Sequence, residues 1–200
     1  MSERPTNLSA SEALQKLKEG NQRYVSGNAE HPHQDIARRN ALVGGQHPFA
    51  VILACADSRV GPEVIFDTGL GDIFVIRVAG NIVDESVKGS IEYACLHLGV
   101  NCVLVLGHQS CGAVGAATSV DNHHNHIDDL LAYIRPPIAA VKNFVAEDDV
   151  NYLKECIKAN ATYGAEELRH CEVALKDLSE NGLEVFAGYY NLDSGVVDIF

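Results

Sequence analysis

The chain has 200 residues, 46% of them hydrophobic and 21% charged, enough apolar material for one compact core and too little charge for bulk disorder. Fifteen Lys and Arg against 27 Asp and Glu leave a formal charge of −12, which repels nucleic acid and anionic membrane surfaces and argues against both as partners. Met1 to Ala10 carries no apolar signal core and no apolar run matches a bilayer's thickness, so the expected compartment is the cytoplasm, where the six cysteines stay reduced.

In chain order, Ser9 and Glu12 form a capping box that opens a helix running to about Val25, with Gly27 beyond its end. Leu14, Leu17 and Tyr24 give that helix a narrow apolar stripe, which needs another surface to cover it. Gly27 to Gly45 is polar and reads as an arm or loop with a short helix. The expected division is an N-terminal helical arm, 1–45, and an α/β domain, 46–200.

Phe49 to Cys55 is a nearly unbroken apolar run, the pattern of a strand buried on both faces. Pro62 starts a short helix through Phe66, and Ile73 to Val78 is a second strand. Asp84 caps a helix to Leu98 with Gly99 as its stop, and Asn101 to Leu106 is a third apolar strand. A helix begins near Gly112. Another spans about Asp128 to Val145, kinked or restarted at Pro136-Pro137. Helix in two pieces covers about Asp149 to Ser179. Leu183 to Tyr190 and Val196 to Phe200 are late strands joined through Asp193-Ser194-Gly195. The fold class is therefore α/β, a mostly parallel central β-sheet flanked by helices. Gly69-Leu70-Gly71 begins like a nucleotide loop, but Phe74 stands at the third glycine position and ends that reading.

Cys55-Ala56-Asp57-Ser58-Arg59 follows the first strand, and Gly107-His108-Gln109-Ser110-Cys111-Gly112 follows the third. In an open parallel sheet these carboxyl ends share one edge, where ligands bind. Cys55, His108 and Cys111 together would form a tetrahedral zinc site with one position open, because two thiolates and one imidazole leave room for a water or substrate. Cys95, Cys102 and Cys156 lie in apolar patterns and read as core; Cys171 is left open. If the chain stays extended past the first strand, Asp57 and Arg59 point the same way, and Arg59 can fork onto the carboxylate. That pair is either a catalytic dyad or a structural strand-end salt bridge. Zinc with two thiolates is formally neutral, so its water should titrate above about 7 and activity should rise with pH.

At these residues the sequence resembles the β-class carbonic anhydrases. C-A-D-S-R-V at Cys55 to Val60 and G-H-x-x-C-G at Gly107 to Gly112 are similar to that family's two motifs, in order and spacing. Gly71 to Arg77 and Ile91 to Ala94 fit as well. The resemblance implies one Zn2+ per subunit on Cys55, His108 and Cys111, with Asp57 and Arg59 as the catalytic dyad. It implies reversible hydration of CO2 to bicarbonate and a proton by zinc-bound hydroxide. It further implies substrate contacts from Gln46 across a dimer interface, from Phe74 and Tyr93 in a narrow apolar pocket, and from the backbone N–H of Gly112. A homodimer or homotetramer follows from the same resemblance, with the first helix packed on a partner.

Two departures stand out. Some members place a tryptophan three residues before the first zinc cysteine, in an inhibitory bicarbonate pocket. Here that position is Ile52 and the chain has no Trp, so that pocket is expected to be absent. Arg77-Val78-Ala79-Gly80-Asn81 replaces the usual R-N-V-A-N. His47, His123, His124 and His126 are candidate proton shuttles or solvated loop residues. Rival readings are a COS or CS2 hydrolase on the same scaffold, or a zinc-binding or redox-sensing protein without turnover.

Overall fold

The computed structural model describes Pro5 and residues 7–119, 125–170 and 173–200. Five strands form one sheet in the order β2-β1-β3-β4-β5, with β1 Ala50–Ala54, β2 Ile73–Arg77, β3 Cys102–His108, β4 Glu184–Tyr190 and β5 Val197–Ile199. β1, β2, β3 and β4 run parallel, and β5 closes the sheet antiparallel to β4. This is the mostly parallel α/β architecture that the alternating strands and helices predict.

Alternation along the strands explains the apolar runs. Val51, Leu53, Val103 and Val105 face one core with Val87, Ile91, Ala161 and Leu168. Ala50, Ile52, Ala54, Leu104 and Leu106 face the other with Ala13, Leu17, Ile65 and Phe66. Both faces of the sheet are covered, so both strand phases must be apolar. Cys95, Cys102 and Cys156 are all fully buried, as expected of core cysteines.

The helices are α1 Ala10–Val25, α2 Ile36–Ala41, α3 Pro62–Ile65, α4 Glu85–His97, α5 Gly112–Thr118, α6 His126–Val141, α7 Tyr152–His170 and α8 Val173–Ser179. The Ser9–Glu12 capping box opens α1, and Asp84 caps α4 through the N–H of Val87. The α1 stripe is covered by this chain's own sheet: Leu17 is fully buried, and Leu14 and Tyr24 pack beside it. Burying one such leucine contributes about 2 kcal/mol. Gly20 lets α1 come this close, because a Cβ there would stand 1.9 Å from the carbonyl oxygen of Phe66.

The helix does not restart at Pro136-Pro137. α6 runs through both prolines as one uninterrupted helix. Leu131, Ile134, Ile138 and Val141 are buried on its inner face, and their packing outweighs the lost backbone bonds. No helix among the described residues is long and apolar enough to cross a membrane.

Candidate metal centre

β1 lies between β2 and β3, so the chain leaves β1 toward one side and returns on the other. The crevice beyond the carboxyl ends of β1 and β3 is the topological switch point of the sheet. Cys55 follows β1 directly, and His108 ends β3. Ser110 takes a left-handed conformation (φ 55°), turning the chain so that Cys111 becomes the N-cap of α5. The ligating atoms of Cys55, His108 and Cys111 all lie within 4.8 Å of one another, and all three residues are buried. No fourth donor shares that spacing among the described residues.

The donor set has the right protonation chemistry for a metal. His108 Nδ1 lies 2.9 Å from the carbonyl oxygen of Gln109. A carbonyl only accepts, so Nδ1 carries the hydrogen and Nε2 presents its lone pair. Nε2 is buried without a hydrogen-bond partner, an orphan that a cation would satisfy. The two thiols interact directly. The hydrogen bond from Cys111 is the main cause that pushes the Cys55 thiol down, with burial opposing it. The same bond, then burial, pushes Cys111 up, while the N–H groups of Val114 and Ala113 pull it back. Cys55 Sγ also accepts from the N–H of Gly80 at 3.3 Å. Two sulfurs and one imidazole nitrogen fit zinc; calcium and magnesium take oxygen ligands.

Asp57 and Arg59 meet beside this cluster. The extended run expected after Cys55 is replaced by a turn, with the N–H of Val60 donating to the carbonyl of Asp57 at 3.0 Å. The turn lets the N–H of Arg59 reach Asp57 Oδ1 at 2.9 Å as well as its guanidinium. The hydrogen bonds of Arg59 hold the Asp57 carboxyl well below the usual carboxylate range, against a smaller opposing effect of burial. Asp57 is thus ionised and can only accept. Its Oδ2 stands 3.9 Å from His108 Nε2.

Sequence reasoning missed the brace on this segment. Arg77, at the end of β2, donates from Nε to the carbonyl of Cys55 at 3.1 Å and from Nη2 to that of Asp57 at 2.6 Å. The only signal was the basic residue closing an apolar strand. Gln109 was missed too: its side chain bonds the N–H of Leu192 and the carboxylate of Asp193, fixing the peptide that holds His108.

Of the expected substrate residues, Gly112 directly follows Cys111 in sequence. Gln46 is exposed before β1. Phe74 lies mid-strand on the edge strand β2, paired with Val51 and three residues, about 10 Å, short of Arg77. It packs against Tyr93 of α4 with ring centroids 6.4 Å apart, and Tyr93 is half exposed. Within one chain, Phe74 is therefore set back from the metal cluster along the strand. Gly112 opens α5, with open space where a Cβ would be. His47 and His126 are exposed; His123, His124 and Cys171 lie outside the described residues.

Comparison with known proteins agrees with this geometry. A family model described as carbonic anhydrase matches residues 50–197. Carbonic anhydrase 2 of Mycobacterium tuberculosis is 48% identical over 130 residues, a match spanning 63% of this chain and 63% of that protein. The β-carbonic anhydrase CafA of Aspergillus fumigatus superposes with a TM-score of 0.73 at 28% identity, covering 95% of this chain and 89% of the other. A tetrameric β-carbonic anhydrase of Sordaria macrospora shares the fold with a TM-score of 0.75 at 24% identity, covering 94% and 97%. The family match takes in strands β1 to β4 and both segments that carry the three donors, and the chain belongs to the β-class carbonic anhydrase family.

Proposed function

We propose that this chain catalyses the reversible hydration of CO2 to bicarbonate and a proton, with one zinc per subunit held by Cys55, His108 and Cys111. The observation that carries the proposal is an ionised carboxylate, Asp57, fixed by Arg59 and standing 3.9 Å from the free imidazole nitrogen of a three-donor cluster. Zinc on that donor set would supply Lewis acidity toward water and CO2. Asp57 accepts a hydrogen from that water and so orients it, because Arg59 occupies the carboxylate from the other side. Gly112 opens α5 directly after Cys111, with open space where a Cβ would be, and its backbone N–H is the donor to substrate oxygen in this proposal.

Gln46, Phe74 and Tyr93 contribute to substrate binding from a second subunit in this proposal. Gln46 and Tyr93 are exposed and Phe74 is half-buried against Tyr93 on the edge strand β2, which supports that reading, and the Sordaria macrospora relative is tetrameric. The assembly is a homodimer or homotetramer.

The test is stopped-flow CO2 hydration by zinc-loaded protein from pH 7 to 9, with COS and CS2 measured in parallel. Turnover of CO2 supports the proposal. Hydrolysis of COS or CS2 without CO2 turnover assigns the sulfur substrates instead. Bound zinc with no turnover of any of the three leaves a zinc-binding or redox-sensing protein.

A further inference from the structure

A 3₁₀ turn, Ala79–Asn81, follows β2 and lies against the metal cluster. Its centre is Gly80, in the left-handed region at φ 70°. A Cβ there would stand 2.5 Å from Ile134 Cδ1 and 3.2 Å from Ala113 Cβ, so the position demands glycine for space as well as for conformation. The N–H of this residue donates to Cys55 Sγ. A left-handed glycine is the most pliable residue in the turn, so something must fix its peptide planes if that N–H is to stay on the sulfur.

Asn160 does this. It sits on α7, 80 positions away in sequence, and only 4% of it is exposed. Its Nδ2 donates to the carbonyl of Gly80 at 2.8 Å. The N–H of Asn81 adds a bond to the carbonyl of Val78 at 3.0 Å, closing the turn from the other end. Gly80 is thus held on both sides, by Cys55 through its N–H and by α7 through its carbonyl. Asn160 also lines a small cavity of about 230 Å³ with Ile82, Pro136 and Gly164, so its side chain is free of dense packing on one flank. Among the described residues its side chain bonds only to Gly80, which argues for a directional role over a space-filling one.

We infer that Asn160 is a positioning residue for the metal centre, acting through Gly80 to keep a backbone N–H on the sulfur of Cys55. The inference rests on the reading of Cys55 as a zinc ligand. A fixed N–H holds the ligating sulfur in place, so losing it weakens metal binding; the same bond draws charge from the sulfur, so losing it also makes the metal a poorer Lewis acid. Outer contacts of this kind typically change metal affinity 10- to 100-fold when removed.

The experiment compares wild type with Asn160→Leu, which keeps volume but removes the donor. Asn160→Ala, which also removes the donor and enlarges the adjoining cavity, serves if the leucine variant does not fold. Zinc affinity is read by competition with a chromophoric chelator, and the sulfur-to-cobalt charge-transfer band is read on cobalt-loaded protein. Leu175→Ala, in the core around α8, controls for general loss of stability. The expected result is zinc binding about 10-fold weaker and a shifted charge-transfer band in the Asn160 variants, with neither change in Leu175→Ala. Wild-type affinity and an unmoved band in folded Asn160 variants would overturn the inference. So would equal weakening in Leu175→Ala at matched melting temperature. A Cys55→Ser variant separates the two levels: if it binds zinc as tightly as wild type, the ligand reading itself is wrong, and if it loses zinc while Asn160 variants do not, only the inference fails.

Discussion

Arg59 grips Asp57 with two guanidinium nitrogens, Nε to Oδ1 at 2.9 Å and Nη2 to Oδ2 at 2.7 Å. Both carboxylate oxygens are engaged in a planar fork that lysine cannot reproduce.

Asp57→Asn keeps the size of the side chain but replaces an obligate acceptor with an amide that also donates. Zinc content should stay near one per chain while CO2 hydration falls about 100-fold, in the range expected for removing an acid–base group. Arg59→Lys should fall less, because a single charge remains beside the carboxylate. Stopped-flow rates with elemental analysis of the same samples check both. Full activity in Asp57→Asn would remove the dyad from the mechanism.

Each of the three donors should matter alike for the metal. Cys55→Ser, His108→Ala and Cys111→Ser should each bring zinc well below one per chain after dialysis against a chelator. Cys102→Ser, changed in the core at a buried thiol outside the cluster, should keep its zinc. Elemental analysis reads the outcome, and retention of zinc by any of the three donor variants would break the ligand set.

Two thiolates cancel the charge of a divalent ion, so activation of water should need a higher pH than in an all-histidine site. The rate of CO2 hydration should rise with pH and reach half its plateau above about 7. A pH–rate profile flat from pH 6 to 9 would contradict this account of the donor set.

Asp67 predicts how stability responds to acid. Burial alone would raise its carboxyl, but the N–H of Glu30, the Arg23 guanidinium and the N–H of His31 together hold it below the usual range. The folded form therefore binds the proton less readily than the unfolded form. Its stabilisation is present above the ordinary carboxylate pKa near 3.8 and is lost as pH falls from there through the lower pKa of the folded form. Asp67→Asn should cost about 2 kcal/mol at pH 7, the worth of a hydrogen bond to a charged group, and less at pH 3. Denaturant titrations at the two pH values give the comparison; an equal cost at both would refute the linkage.

Two helical glycines should respond in opposite directions. Gly89→Ala in α4 meets open space and should stabilise by about 1 kcal/mol through helix propensity. Gly20→Ala in α1 would drive its methyl into the Phe66 carbonyl and should destabilise by about 3 kcal/mol, because backbone cannot step aside. Thermal melts of the two variants decide the matter.

Much of this was legible in the sequence because the carriers are local. FAVILAC marks a strand buried on both faces, and Ser9, Asp84, Gly27 and Gly99 mark helix ends by backbone chemistry. Both donor segments could be placed because each directly follows an apolar run. The turn at Asp57 was not legible, since Asp-Ser-Arg suits extended and turned backbone equally. Continuity of α6 through two prolines was hidden too, because local propensity opposes it and only packing decides it. Arg77, Gly80 and Asn160 escaped for a different reason: their roles exist only between elements, across gaps of 20 to 80 residues that no local pattern spans.

His108 ends a strand whose seven residues are all buried, hydrogen-bonded on one side to β1 and on the other to β4. Such a strand exchanges its amide hydrogens only when the whole molecule opens, whereas the turn bearing Asp57 and Arg59 lies at the surface and exchanges through small local excursions. The centre is therefore graded in rigidity. Its anchor belongs to the last part of the chain to loosen, and its proton-handling arm to one of the first.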